Sequence, residues 1–336
     1  MDARPTREQR ELADAAGRLA ERLGPPAVGD LDDADRRERL DAALTQAGWR
    51  ELRTGTPDAP LASGVEAMLV VRALARRACD TALIGPLLAH DLVRRAGGGD
   101  EVARTIATSS DLRNPAVAGS PALAVDAAGA DTALVLVPAG AGWTLGEVTV
   151  PALAGEGVDL TRTVVALSAD AAVVPVPDTG ALTADDVEAW TALAVSLTAA
   201  DLVGSMEGAL ALAVDYAKDR RQYGAPIGSY QAVQHLLAEA TTLTEGAISA
   251  MVHAAWAADA LAPSEARSAA AVAKAYAARA ARTVCETSIQ VHGGIGNTWE
   301  CMAHVFLRRT LLATELFGGD GAQLALLAGQ RWGALR

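Results

Sequence analysis

The segment Tyr216-Ala217-Lys218-Asp219-Arg220-Arg221-Gln222-Tyr223-Gly224-Ala225-Pro226-Ile227 is the punctuation that decides the fold. An apolar, Ala-rich stretch runs into it. Gly224 and Pro226 stop that helix, because they supply reversal geometry and proline lacks a ladder N–H. A second helical pattern opens directly afterwards, in Tyr230-Gln231-Ala232-Val233-Gln234. Upstream, Thr183-Ala184-Asp185-Asp186 has the spacing of an N-terminal capping signal, so the first helix is expected over 184–221. Further helices are expected over 230–260, 265–290 and 299–335, the last broken near Gly318 and Gly319. Four long helices with short connections predict an antiparallel four-helix bundle over 181–336.

The pattern differs further upstream. Short β-rich runs at 132–137, 144–150, 163–167 and 171–176 are separated by Gly and Pro, which predicts a small central antiparallel β domain over 111–180. The first third reads as helical throughout. Thr6-Arg7-Glu8-Gln9 has capping-box spacing, Leu12, Ala16, Leu19 and Leu23 form a stripe, and Gly24 with Pro25 and Pro26 ends it. Helices are also expected over 35–47, 64–77 and 80–96. The fold class is therefore mainly α: an N-terminal helical domain over 1–110, the reduced β domain, then the bundle.

Composition supports this. Half of the 336 residues are apolar and alanine dominates, and alanine is the strongest helix former because it loses no side-chain entropy on ordering. The net charge of -12 is spread along the chain without a basic stripe, which argues against nucleic acid as a partner. Cys79, Cys285 and Cys301 show no metal-ligand spacing. The N-terminus lacks a basic start followed by an apolar stretch, and apolar runs are interrupted by charges short of membrane-spanning length. A cytoplasmic protein without a membrane partner is expected.

Two stretches carry chemistry. A guanidinium at the end of a helix, Arg220, can fork onto phosphate oxygens, and Gln222 and Gln231 offer both donors and acceptors to a polar ligand. The same arginine would equally complement the helix macrodipole at an ordinary turn. The second stretch is Gln290-Val291-His292-Gly293-Gly294-Ile295-Gly296-Asn297-Thr298-Trp299-Glu300. Its glycines allow close backbone approach and positive φ, and Thr298 is placed to cap a helix starting at Trp299. A helix–helix turn that needs glycine for its shape reads the same way. Met206, Trp190, Trp256 and Trp299 sit at helical positions and are expected in the core.

Together these segments resemble the C-terminal half of acyl-CoA dehydrogenases. That family carries Arg-x-Gln-Phe-Gly-x-Pro-Ile, then a Phe-Gln-x-x-Gln segment, then Gln-x-x-Gly-Gly-x-Gly. Here they are matched by 220–227, with Tyr223 for Phe, by 230–234, and by 290–296. The resemblance implies FAD, with Arg220, Gln222 and Gln231 on its diphosphate and adenine portion. Gln290, Val291, His292, Gly293 and Gly294 are expected to join them from a neighbouring subunit. It also implies α,β-desaturation of an acyl-CoA thioester, in which a carboxylate takes the α-proton and the β-hydrogen leaves as hydride to flavin N5.

The sequence departs from the family in three places. One family position for the base falls near Ala194 and the other at Gly318, neither a carboxylate, which leaves Glu300 as the catalytic candidate, with Glu315 and Asp320 behind it. His304 lies four residues after Glu300 on the same helical face. No Thr-Glu-Pro-x-x-Gly-Ser-Asp stretch, which covers the flavin ring in the family, is present around 107–115. The chain is also short. It resembles subunits of heteromeric, α2β2 acyl-CoA dehydrogenases that act on steroid side-chain CoA esters. The implied partners are an acyl-CoA, a homo-oligomeric copy or a second acyl-CoA dehydrogenase-like chain in a heterotetramer, and electron-transfer flavoprotein or a similar acceptor. A non-catalytic subunit that completes the FAD site of another chain is the alternative reading.

Overall fold

The computed structural model describes residues 4–99, 104–152 and 157–333. Four helices build the N-terminal part: α1 (Arg7–Leu23), α2 (Ala34–Ala47), α3 (Gly64–Ala75) and α4 (Ile84–Arg95). The capping box that opens α1 is formed, with the Thr6 N–H donating to Gln9 Oε1 at 3.0 Å and Gln9 N–H to Thr6 Oγ1 at 3.2 Å. Helix α4 has no side-chain cap of its own. Asp126, at the end of a sheet strand, accepts from the Gly85 N–H at 3.1 Å and ties this helix start to the sheet.

The central part is a six-stranded sheet of β1 (Arg104–Ser109), β2 (Ala122–Val125), β3 (Thr132–Ala139), β4 (Gly142–Thr149), β5 (Val164–Leu167) and β6 (Val174–Pro175). Its spatial order is β5-β2-β1-β3-β4-β6. Four of the five pairings are antiparallel, and β1 with β3 is parallel. Residues alternate between two apolar clusters, as a strand's two-residue period requires. Leu134 and Leu136 join the main core, while Ala133 and Val135 join a separate cluster with Val148 and Val165.

The sheet begins earlier than the sequence pattern indicated, since β1 occupies 104–109, which the sequence reading assigned to the helical domain. The reason is chemical. Strand β1 is buried through polar groups: Arg104 pairs with Glu147 at 3.0 Å, and the Thr105 hydroxyl donates to the Val125 carbonyl. An alternating apolar signal is therefore missing. Strand β2, Ala122-Leu123-Ala124-Val125, is alanine-rich, and alanine favours helix over strand.

The C-terminal part consists of α5 (Ala184–Asp219), α6 (Gln231–Ala260), α7 (Pro263–His292), α8 (Ala303–Glu315) and α9 (Asp320–Trp332). The Thr183–Asp186 capping box starts α5, as its spacing predicts. The last helical stretch is broken around Gly318 and Gly319 as its sequence indicates, but it starts at Ala303 rather than Trp299. By length and composition alone α5 could cross a membrane, despite its charges, but 72% of its most apolar window is buried inside the protein. It is the central core helix, packed on α3, α6 and α7. Close packing on α3 depends on glycine: a Cβ at Gly204 would come within 2.4 Å of the Arg72 carbonyl oxygen.

Candidate functional site: two motifs at one end of the bundle

Arg220 caps the C-terminus of α5, its N–H donating to the Tyr216 carbonyl at 2.8 Å. The chain then reverses through a hairpin that pairs Arg221 and Gln222 with Ala225 and Pro226. Both turn residues have positive φ, Tyr223 at 51° and Gly224 at 81°, the combination that two-residue hairpin turns use. The Ile227 N–H donates to the Arg220 carbonyl at 2.8 Å, and Tyr230 Oη donates to the Gln222 carbonyl at 2.8 Å. The backbone around Arg220 is thereby fixed. The side chains of Arg220, Gln222 and Gln231 are exposed, and none bonds to another described residue. Gln231 opens α6, whose cap residue Tyr230 supplies no side-chain bond to the first-turn N–H groups.

The second motif closes α7. Gly293 adopts φ 65°, and a 3-10 turn follows over Gly293–Asn297. A Cβ at Gly293 or Gly294 would meet no atom within 4 Å, so both glycines border open space. Gln290 is exposed beside them. Val291 and His292 are placed differently from the expectation that they contact a ligand. Val291 packs with Ala213 and Ala217 of α5 and with Tyr216, Ile227, Val233 and Leu237. The His292 ring stacks on Tyr216 at 4.4 Å between centroids. Side chains at 291 and 292 turn inward because they continue the buried face of α7, which leaves only their backbone for a ligand. The same contacts bring the two motifs together at one end of the bundle, within one chain.

Glu300 does not lie in the first turn of a helix. It is exposed in the turn before α8, and its carboxylate bonds to no described residue. An α-proton base needs a poorly solvated carboxylate, and this chain by itself gives Glu300 no such surroundings. Thr298 does not cap the helix, since its hydroxyl donates to the Ile295 carbonyl at 2.8 Å. Trp299 is 64% exposed rather than core, with the Arg308 guanidinium 5.6 Å from its ring centre and His304 edge-on at 5.2 Å. Burial and the neighbouring Arg308 charge hold the His304 imidazolium below its usual range. Asp320 pairs with Arg279 at 2.6 Å, a bond that pulls its carboxyl below the usual range, and Glu315 is exposed.

The two family positions for a base are both occupied without one. Ala194 is fully buried in α5. At the other, the Phe317 N–H donates to the Leu112 carbonyl at 2.6 Å, which joins the 109–114 loop directly to the turn at Gly318. Phe317 is 1% exposed and meets Trp190 edge-on at 5.7 Å, an aromatic contact worth about 1 kcal/mol. Trp190 Nε1 in turn donates to the Leu88 carbonyl at 2.8 Å. Cavities of about 350 and 720 Å³ lie elsewhere, one between α2 and the loops of the sheet, the other among α1, α3 and α5.

A buried ion network lies outside both sequence motifs. Asp201 of α5 accepts from Arg309 Nη2 at 2.6 Å and lies 3.3 Å from Arg162 Nη2, and Arg162 Nε pairs with Asp126 at 2.8 Å. Arg309 also donates to the Cys79 carbonyl at 3.0 Å and to Thr161 Oγ1 at 2.6 Å. These bonds join all three parts of the chain. The available signal was a lone aspartate within the long apolar run of α5.

Comparison with known proteins agrees with this architecture. Residues 195–330 match the family model for the C-terminal domain of acyl-CoA dehydrogenases. The chain is 30% identical to acyl-CoA dehydrogenase IpdE2 of Mycobacterium tuberculosis over 98% of both chains. It is 37% identical to acyl-CoA dehydrogenase FadE34 of the same organism over 58% of this chain, and spans only 27% of that longer relative. Its fold superimposes on a chain of the ChsE4-ChsE5 complex from Mycobacterium tuberculosis with a TM-score of 0.81 at 22% identity, covering 96% of this chain and 97% of the other. With a full-length relative above, a matched C-terminal domain and a shared architecture, this chain belongs to the acyl-CoA dehydrogenase family.

Proposed function

We propose that the chain is one subunit of a two-chain, FAD-dependent acyl-CoA dehydrogenase, to which it contributes dinucleotide contacts and no catalytic base. The cofactor of this family fits one half of the site. Arg220, Gln222, Gln231 and Gln290 present unbonded polar side chains, and Gly293 and Gly294 leave room for close backbone approach. Arg220 would fork onto the diphosphate, while the glutamines would bond the adenine portion and the Gly293–Gly294 backbone would border it. Bound FAD would accept the β-hydrogen of the acyl-CoA as hydride.

The single observation that carries the subunit reading is the Phe317–Leu112 hydrogen bond. In the family, the segments on its two sides flank the flavin ring and the thioester. Here they bond to each other, and the position of the base is a glycine. The ring-binding half and the α-proton base then come from the second chain. The heteromeric complex named among the similar structures supports this reading, and electron-transfer flavoprotein or a similar acceptor would take the electrons onward.

The test is to express the chain with the product of the adjacent gene, then record the visible spectrum and the mass. The complex should carry flavin that bleaches on addition of acyl-CoA, and Arg220→Ala in this chain should cost most of the bound flavin. Bleaching of flavin by this chain alone, as a homo-oligomer, would overturn the subunit reading in favour of a self-sufficient enzyme.

A further inference from the structure

The rings of Tyr216 and His292 face each other between α5 and α7, and each is tied to one motif. Tyr216 stands one helical turn before Arg220, and its carbonyl accepts the Arg220 N–H at 2.8 Å. His292 directly precedes Gly293, whose positive φ starts the glycine turn. The two rings stack at 4.4 Å with 28° between their planes. A second bond registers the same two helices further from the end: Ser288 Oγ donates to the Ala209 carbonyl at 2.8 Å, fully buried. His292 Nδ1 lies 2.7 Å from the Ser288 carbonyl oxygen. A carbonyl can only accept, so Nδ1 carries the proton and the imidazole is held in one orientation. Val291 fills the remaining space against Ala213 and Ala217.

We infer that the Tyr216–His292 stack is a positioning device that sets the distance between the Arg220 helix end and the Gly293–Gly294 turn. The inference rests on the dinucleotide reading above. Neither ring touches the ligand. Each holds a neighbouring group that does: Tyr216 through the last turn of α5, His292 through the first residue of the glycine turn. An aromatic pair suits this task because it fixes two helix ends laterally while needing no exposed polar group.

Two measurements on the full-length chain test this. The first is the distance distribution between spin labels at Asp219→Cys and Asn297→Cys, both exposed sites. The native cysteines are buried. The distribution should stay narrow with Tyr216→Phe and His292→Phe, which keep two stacked rings, and broaden or shift with Tyr216→Ala and His292→Ala. The second is FAD affinity of the co-expressed complex, read by flavin fluorescence well below each variant's melting temperature. The alanine variants should bind about three- to tenfold more weakly, the range an aromatic pair supports. The phenylalanine variants should stay within about twofold, a rescue that a general loss of packing would not give. An unchanged distance distribution in both alanine variants would overturn the inference, as would a phenylalanine variant that behaves like alanine. Absence of FAD binding by the unmodified complex would instead defeat the dinucleotide reading, and the label distances would still judge the stack.

Discussion

The backbone N–H of Phe317 donates to the carbonyl of Leu112 at 2.6 Å, and both residues are held in the left-handed region, at φ 59° and 62°. That conformation costs a non-glycine residue on the order of 1–3 kcal/mol, so two such residues joined by one bond need strong support from their surroundings. The buried Phe317 ring and its contact with Trp190 supply it.

The closed junction makes a direct prediction about restoring the family's base. Gly318 has φ 90°, and a Cβ there would come within 3.0 Å of Gln323 Nε2. That amide is already bonded to the carbonyls of Phe317, at 2.7 Å, and Gly318, at 2.9 Å. Gly318→Glu should therefore destabilise the chain by roughly 1–3 kcal/mol. It should also fail to give the isolated chain any acyl-CoA-dependent flavin bleaching. Urea unfolding and a visible spectrum check the two halves of this prediction separately.

Asp201 makes the strongest prediction for stability. Burial pushes its carboxyl upward, but Arg162 and Arg309 outweigh this and hold it below the usual carboxylate range. Asp201→Ala leaves two buried guanidiniums without their shared anion and should cost about 3–5 kcal/mol. The loss should appear as a lowered urea midpoint in a chain that still carries all its surface charges.

Lys274 predicts a pH dependence. Its amine is fully buried in α7, donating to Thr198 Oγ1 at 3.1 Å, to the Leu316 carbonyl at 2.9 Å and to the Ala313 carbonyl. Burial pushes the ammonium down to about 7. A free lysine titrates near 10, so between about pH 7 and about pH 10 the unfolded chain holds a proton that the folded chain has released. Stability from this group should therefore rise with pH across that window, with the full penalty present below it. Urea midpoints across the window should climb for the natural chain, and Lys274→Met should flatten that component of the slope whatever its absolute stability.

The bundle was legible because its information is local. The Thr183–Asp186 capping box, the apolar run of α5 and the break at Gly224 and Pro226 each act within a few residues, and the structure follows them. Strand β1 was not legible, because its burial is satisfied by Arg104 and Thr105 bonding to strands far along the chain. The start of α8 differs from the sequence pattern for a related reason: Thr298 has a capping residue's chemistry, but its hydroxyl donates to the Ile295 carbonyl instead.

Sequence alone determined the family, the order of helical, sheet and bundle parts, and the polar and glycine residues of the two motifs proposed to hold a dinucleotide, since motif spacing and helix punctuation are properties of neighbouring residues. Tertiary structure decided which of those residues turn outward. Val291 and His292 belong to the same motif as Gly293, yet helical periodicity and the ring of Tyr216 carry them into the bundle. It also decided that the loop at Leu112 and the turn at Phe317, about 200 residues apart along the chain, meet and close. Contacts between distant segments depend on how whole elements pack, and no local pattern records them.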